Sequence, residues 1–187
     1  MKFTRLDIPD IIICEPNLYS DNRGYFAEIF RNDMFEKFSG TRINFCQHNE
    51  SLSRFGVMRG LHYQKNPHAQ TKLVRVTKGV VLDIAVDIRS DSPTFGKHIA
   101  VKLTEENKKQ ILIPKGFAHG YVVLSSEAVL SYSVDNYYNK KSERGIAFDD
   151  EDLKINWILS PEKLCISNKD KNQPAFKHAE YYNSSSF

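Results

Sequence analysis

Two stretches of this chain alternate apolar and other residues with a period of two. In Val80 to Ile88, the residues Val80, Leu82, Ile84, Val86 and Ile88 interleave with Val81, Asp83, Ala85 and Asp87. In Ala128 to Asp135, the set Ala128, Leu130, Tyr132 and Val134 interleaves with Val129, Ser131, Ser133 and Asp135. Successive side chains of an extended chain point to opposite sides, so this period predicts strands with one face on a core. Shorter strand candidates are Tyr25 to Phe30, Lys72 to Thr77, Ile99 to Leu103 and Gln110 to Ile113. Turn residues fall between them: Gly79, Ser90-Asp91-Ser92-Pro93, Gly96 and Pro114-Lys115-Gly116. Many short strands at this spacing predict an all-β sandwich or barrel. A helix is expected where Asp33 would cap, Met34, Phe35 and Phe38 would form the stripe, and Gly40 would end it. A second short helix is expected around Asp150 to Leu153.

The 187 residues suffice for one domain with a hydrophobic core, and no repeat or linker divides them, so residues 1–187 are read as a single domain. Only the tail from Asn183 to Phe187 reads as frayed. A formal net charge of +3, with no basic tract longer than Lys140-Lys141, predicts neither nucleic acid nor a membrane as partner. The cysteines Cys14, Cys46 and Cys165 show no CxxC spacing, which excludes a disulfide framework and a zinc knuckle. Reduced, mostly buried thiols of a cytoplasmic protein are expected instead. The apolar run Ile11-Ile12-Ile13-Cys14 is too short for the apolar region of a signal peptide, and no stretch reaches transmembrane length.

Several polar residues interrupt strand patterns. Gly56 to Gln64 reads as a strand yet carries Arg59, His62 and Gln64, and Ile113 to Tyr121 places His119 after a Pro-x-Gly turn. A single His in such a setting is most often a satisfied structural residue. Together, however, Gly56-x5-His62 and Pro114-x-Gly116-x2-His119 resemble the two motifs of the cupin superfamily, whose fold is a jelly roll. Metal-binding cupins have His-x-His in the first motif. Here the second position is Gln64 and no carboxylate follows at the expected place, so a three-His-plus-Glu site would lose two ligands. Zinc- and iron-type ions want three or four such ligands, so no metal is expected.

Glu28 lies between Phe26 and Phe30 on one predicted strand face, and Gln47 and Asn49 follow Phe45 with the same period. A buried carboxylate needs a partner, and Arg23 or Arg59 is the obvious type. The bland reading is a buried ion pair fixing the sandwich. For Lys72 the bland reading is a solvated lysine at a strand end. For Tyr132 it is a core tyrosine whose hydroxyl reaches a backbone group.

In combination these residues resemble the dTDP-4-dehydrorhamnose 3,5-epimerase family. The resemblance rests on Asp-Asn-Arg-Gly-Tyr-Phe-Ala-Glu (21–28), Gln-His-Asn (47–49), Arg-Gly-Leu-His-Tyr-Gln (59–64) and Gln-Thr-Lys-Leu-Val (70–74). It continues through Asp87-Ile-Arg89, Ser92-Pro-Thr-Phe-Gly96, Pro-Lys-Gly-Phe-Ala-His-Gly (114–120), Tyr132, Tyr137-Tyr138 and Ser167-Asn-Lys-Asp170. It runs in order over nearly the whole chain. Ala147-Phe148-Asp149-Asp150 departs from a Trp-Asn-Asp sequence common in the family.

The resemblance implies a cupin-like jelly-roll β-sandwich with a few short helices. It implies epimerisation at C3 and C5 of dTDP-4-dehydro-6-deoxy-D-glucose through enolates, in dTDP-L-rhamnose biosynthesis. It also implies no redox cofactor and a homodimer in which strands near the N-terminus help line the partner's site. By the same resemblance His62 is the base, Asp170 the carboxylate that orients it, Lys72 the group beside the enolate and Tyr132 the acid. Tyr138 resembles the residue that stacks on thymine. Arg23, Phe26, Glu28, Gln47, Asn49, Arg59, His119, Glu143 and Lys169 resemble contacts to sugar, deoxyribose or diphosphate. Arginine suits a diphosphate through its planar fork of donors.

Three other readings remain at this level. A relative acting on dTDP-4-keto-6-deoxyhexoses that inverts only C3 or only C5 would share these residues. A metal-dependent cupin oxygenase is opposed by Gln64. A sugar-nucleotide-binding cupin without catalysis is opposed by His62, Asp170, Lys72 and Tyr132 together, since binding alone needs no matched acid and base.

Overall fold

The computed structural model describes residues 1–183. In chain order its elements are β1 (Lys2–Arg5), β2 (Ile12–Glu15), β3 (Leu18–Asp21), β4 (Gly24–Ala27), α1 (Asn32–Ser39), β5 (Gln47–Arg54) and β6 (Val57–Gln64). There follow β7 (Lys72–Lys78), β8 (Val80–Asp87), β9 (His98–Thr104), β10 (Gln110–Ile113), β11 (Phe117–Val123), β12 (Glu127–Val134), β13 (Glu143–Gly145), β14 (Cys165–Ile166) and α2 (Asn168–Lys171). One sheet has the order β1-β2-β10-β7-β12-β5 and the other β13-β6-β11-β8-β9, with β14 pairing in parallel on β6. The remaining pairs within the two sheets are antiparallel. The architecture is an all-β sandwich, one of the two forms the strand pattern predicted, and of the jelly-roll type that the resemblance implied.

Between the sheets Val74, Val76, Ile111, Ile113, Ala128 and Leu130 of the first meet Val81, Ala85, Leu103, Phe117 and Val123 of the second. Fully burying an aliphatic side chain of this kind stabilises the fold by about 1.5–3 kcal/mol. A second cluster lies on the other face of the second sheet. There Leu82, Ile84, Val86, Ala118 and Val122 are covered by Leu153, Trp157, Phe176 and Tyr182 from the C-terminal segment. The outer face of the first sheet is covered at Ile12, Leu73 and Leu112 by Phe35 of α1.

This second layer corrects the reading of β8. The strand is buried on both faces rather than one. Its more apolar set faces the C-terminal segment, and the set Val81, Asp83, Ala85 points into the sandwich. Alternation identifies two faces but does not say which one meets which layer.

Other expectations also change. Arg31, not Asp33, is the residue before α1, with no side-chain cap; Asp33 sits in the first turn and binds Arg31 instead. Gly40 does end the helix, in the left-handed conformation. Asp150 to Leu153 form a turn, not a helix, in which Asp150 accepts the amides of Asp152 and Leu153. The second helix is α2, capped by Ser167. The Tyr25 to Phe30 candidate stops at Ala27, and Glu28 is exposed and paired with Arg31 rather than with Arg23 or Arg59. Of the three free cysteines only Cys14 is buried. Of the tail expected to fray, residues 184–187 lie outside the described residues.

Candidate active site

A cavity of about 530 Å³ opens between the two sheets. Lys72 on β7 and Tyr132 on β12 enter it from the first sheet. Arg59 and His62 on β6 and His119 on β11 enter from the second, and Lys169 and Asp170 of α2 close one side. A second lobe of about 350 Å³ shares His62, Lys72 and Tyr132 and adds Gln47, Asn49, Gln64, Tyr138 and Glu143. The two sheets thus bring together residues that lie far apart along the chain.

His62 and His119 are directly opposite one another on the paired strands β6 and β11, beside an irregularity in the register. Gly60 and Gly120 allow it. A Cβ on Gly60 would meet Gly120 Cα at 2.5 Å, closer than real atoms approach, so neither position leaves room for a side chain there.

Each histidine has its own carboxylate. His62 Nε2 lies 2.5 Å from Oδ1 of Asp170, which is 4% exposed. The short helix α2 sets this contact, because Ser167 Oγ caps it by accepting the Asp170 amide at 3.1 Å. Burial would lift the Asp170 carboxyl, but the bond from His62 and its charge outweigh that and hold it below the ordinary range. His119 Nε2 lies 2.9 Å from Oδ2 of Asp83, which is fully buried. Burial pushes His119 down, against the pull of Asp83. Oδ1 of Asp83 is buried without a hydrogen-bond partner among the described residues.

Lys72 is not a solvated strand end. Burial pushes its ammonium down to about 8, with Asp83 and Glu143 pulling the other way. Burial likewise raises Tyr132, and the neighbouring Tyr121 adds to the shift. Tyr121 is fixed by Ser51 Oγ at 2.9 Å and Ser53 Oγ at 3.3 Å, and Arg59 Nε donates to the same Ser53.

At the mouth, Glu143 accepts from Lys169 Nζ at 2.5 Å and from the Tyr138 hydroxyl at 3.1 Å. Those two bonds outweigh desolvation and lower its carboxyl. The Tyr138 ring itself is exposed. Among the described residues no group of three or more His, Cys, Asp or Glu side chains could hold a metal ion.

Three expected site residues are not brought to this cavity by their own chain. Arg23, Phe26 and Glu28 sit on or beside the hairpin β3–β4, which pairs with neither large sheet. Arg23 binds Asp21 at 2.6 Å, and Phe26 is 66% exposed beside exposed Leu18, Tyr19 and Tyr25. Conversely, reading the residues did not pick out Asp83, Ser51, Ser53 or Tyr121. Only Asp83 left a signal, a carboxylate in the middle of a strand whose other residues, up to Asp87 at its end, are apolar.

Comparison with known proteins bears on the whole chain. A family model described as dTDP-4-dehydrorhamnose 3,5-epimerase matches residues 5–178. A protein of that name from Shigella flexneri is 47% identical over 182 residues, covering 97% of this chain and 99% of the relative. The crystal structure of the enzyme so named from Elizabethkingia anophelis NUHP1 superposes with a TM-score of 0.94 at 48% identity, covering 97% of this chain and 99% of that one. A dTDP-6-deoxy-D-glucose-3,5-epimerase from Legionella pneumophila Philadelphia 1, solved in complex with dTDP-4-keto-L-rhamnose, superposes with a TM-score of 0.93 at 42% identity, covering 97% of each chain.

Proposed function

The chain belongs to the dTDP-4-dehydrorhamnose 3,5-epimerase family, and we propose that its inter-sheet cavity performs the reaction with His62 as base and Tyr132 as acid. The activity is epimerisation at C3 and C5 of dTDP-4-dehydro-6-deoxy-D-glucose, a step of dTDP-rhamnose biosynthesis. The 4-keto group acidifies the neighbouring C–H bonds, so each inversion needs proton removal on one face, an enolate, and proton return on the other.

The observation that carries the assignment is the opposition of the sheets. His62 stands on the second sheet and Tyr132 on the first, with the cavity between them. A ring lying there presents one face to each. With the Nε2 proton directed at Asp170, His62 keeps its Nδ1 lone pair for the substrate carbon, and the carboxylate stabilises the imidazolium that forms. Tyr132 returns a proton from the other side and recovers its own from solvent, and His62 releases to solvent the proton it took before the next inversion. Lys72, as the ammonium, supplies charge at the enolate oxygen in a low-dielectric site. His119, oriented by Asp83, supplies a hydrogen bond to the sugar. Tyr138 stacks on thymine, while Gln47, Asn49, Arg59, Glu143 and Lys169 contact the nucleotide. No cofactor enters this scheme.

The single cupin-like domain works as a homodimer in this reading. The hairpin β3–β4 carries Arg23, Phe26 and, just beyond it, Glu28, with four large apolar side chains exposed. Exposed apolar surface of this kind marks an interaction site, and laying it over the partner's cavity would deliver those three residues. Free thiols and the absence of any helix long and apolar enough to cross a membrane, among the described residues, suit a cytoplasmic location.

Incubation with dTDP-4-keto-6-deoxyglucose in heavy water tests the reading. Deuterium is expected at both C3 and C5 of the product. Label at only one carbon would overturn double inversion in favour of a single-carbon epimerase.

A further inference from the structure

Gln64 stands where the first cupin motif would carry a metal ligand, yet its side chain is committed elsewhere. It is buried, and its amide is bound at both ends by backbone. Nε2 donates to the carbonyl of His68 at 2.7 Å and to the carbonyl of Tyr137 at 3.2 Å. Oε1 accepts the amide of Asn139 at 2.6 Å. The last two partners flank Tyr138 on either side. A single side chain therefore brackets the residue that presents its ring at the cavity mouth.

The bracket is reinforced. Glu143 is the direct strand partner of Gln64 across β13 and β6, and it also accepts the Tyr138 hydroxyl. The segment between them is tied in by His68, whose Nδ1 lies 2.9 Å from Ser142 Oγ. Gln47 Oε1 accepts the Tyr138 amide at 3.4 Å. Tyr138 is thus held by its hydroxyl, by its own amide and by the peptide groups before and after it. Without those ties an exposed tyrosine on a loop would sample many orientations, and ordering it would cost affinity at each binding event.

We infer that Gln64 is a positioning residue for nucleotide recognition: it presets the Tyr138 loop so that the ring meets the base already ordered. The chemistry demands an amide. The site needs one acceptor facing an N–H and a donor facing two carbonyls, which glutamine provides and a carboxylate or thioether does not. The inference rests on Tyr138 being the stacking residue, so the test keeps the two apart.

The measurements are dTDP titration and heavy-water exchange at saturating substrate, on Gln64→Glu, Gln64→Met, Tyr138→Ala and the double variant Gln64→Met/Tyr138→Ala. Each Gln64 variant should weaken dTDP binding about tenfold, an equivalent of about 1.4 kcal/mol, with exchange at saturation within about threefold of wild type. In the Tyr138→Ala background Gln64→Met should cost less than about twofold more, because the ring it presets is gone. If Tyr138→Ala leaves dTDP affinity intact, the stacking assignment fails and the inference with it. If Tyr138→Ala weakens dTDP but Gln64→Met adds its full loss on top, the stacking assignment stands and the inference is wrong. Should Gln64→Glu not fold, the Gln64→Met series alone decides in the same way.

Discussion

The two His–Asp pairs of this site have the same chemistry and opposite surroundings. His62–Asp170 joins the second sheet to a short helix at the cavity edge, and the histidine side chain is about a quarter exposed. His119–Asp83 lies within the second sheet, with 8% of the histidine and none of the aspartate side chain exposed. A group that must take up and release a proton needs access to solvent, and the first pair offers it. The second pair is sealed, and burial pushes its histidine down. In the proposed scheme identical residues therefore serve as a proton carrier at the rim and a hydrogen-bonding group in the interior, and burial is what separates them.

The largest expected effect breaks the comparison outright. His62→Ala should lower deuterium exchange at both carbons by about 10²–10⁴-fold, the usual worth of a general base, with the fold intact by circular dichroism. If a folded His62→Ala exchanged normally while His119→Ala did not, the roles of the two pairs would have to be reversed. Next comes Tyr132→Phe, which removes the proposed acid on the opposite sheet. Inversion should fall on the order of 10²-fold, with dTDP affinity unchanged and deuterium washing in without inversion. A Tyr132→Phe protein whose main defect is weaker dTDP binding would contradict the assignment.

A smaller effect sharpens the role of the buried pair. Exchange should decline as pH rises past about 8, where the Lys72 ammonium is lost. Asp83 helps to hold that proton, so Asp83→Asn should move the decline to lower pH, and an unmoved profile would remove Asp83 from the electrostatics of the site. Lys72 also has a signature in stability. Its folded pKa is lowered, so between about 8 and its ordinary 10.5 the unfolded chain binds the proton that the folded one has shed. Its contribution to stability therefore rises with pH through that window, and Lys72→Met should flatten the rise in denaturant titrations. The smallest expected effect is none. Dialysis against a strong chelator should leave turnover unchanged, and activity that returned only with one added divalent ion would make the histidines ligands rather than acid–base groups.

Period-two alternation, Gly40 as a helix stop and the turn residues were enough to read an all-β sandwich or barrel, because those features act locally on the backbone. His62 and His119 stood out as polar groups in strand-like segments, whereas Lys72, Tyr132 and Asp170 were singled out by the family resemblance, and the structure brings all five to one cavity. Three things were not legible. Which face of β8 points into the sandwich depends on the C-terminal segment, more than sixty residues away in sequence at Leu153 and beyond, so Asp83 could not be recognised as the partner of His119. Gln64 could be seen to lack a metal-binding side chain, but its three backbone partners exist only once β6 and the loop after β12 are packed together. Glu28 shows the opposite error: its alternation with phenylalanines implied burial, yet the hairpin beside it stands clear of both sheets. Local pattern determined which residues were extended and which were out of place among them. Tertiary packing alone decided which groups lost their water, and that desolvation pushes the pKa values of Lys72 and His119 down while His62 keeps access to solvent.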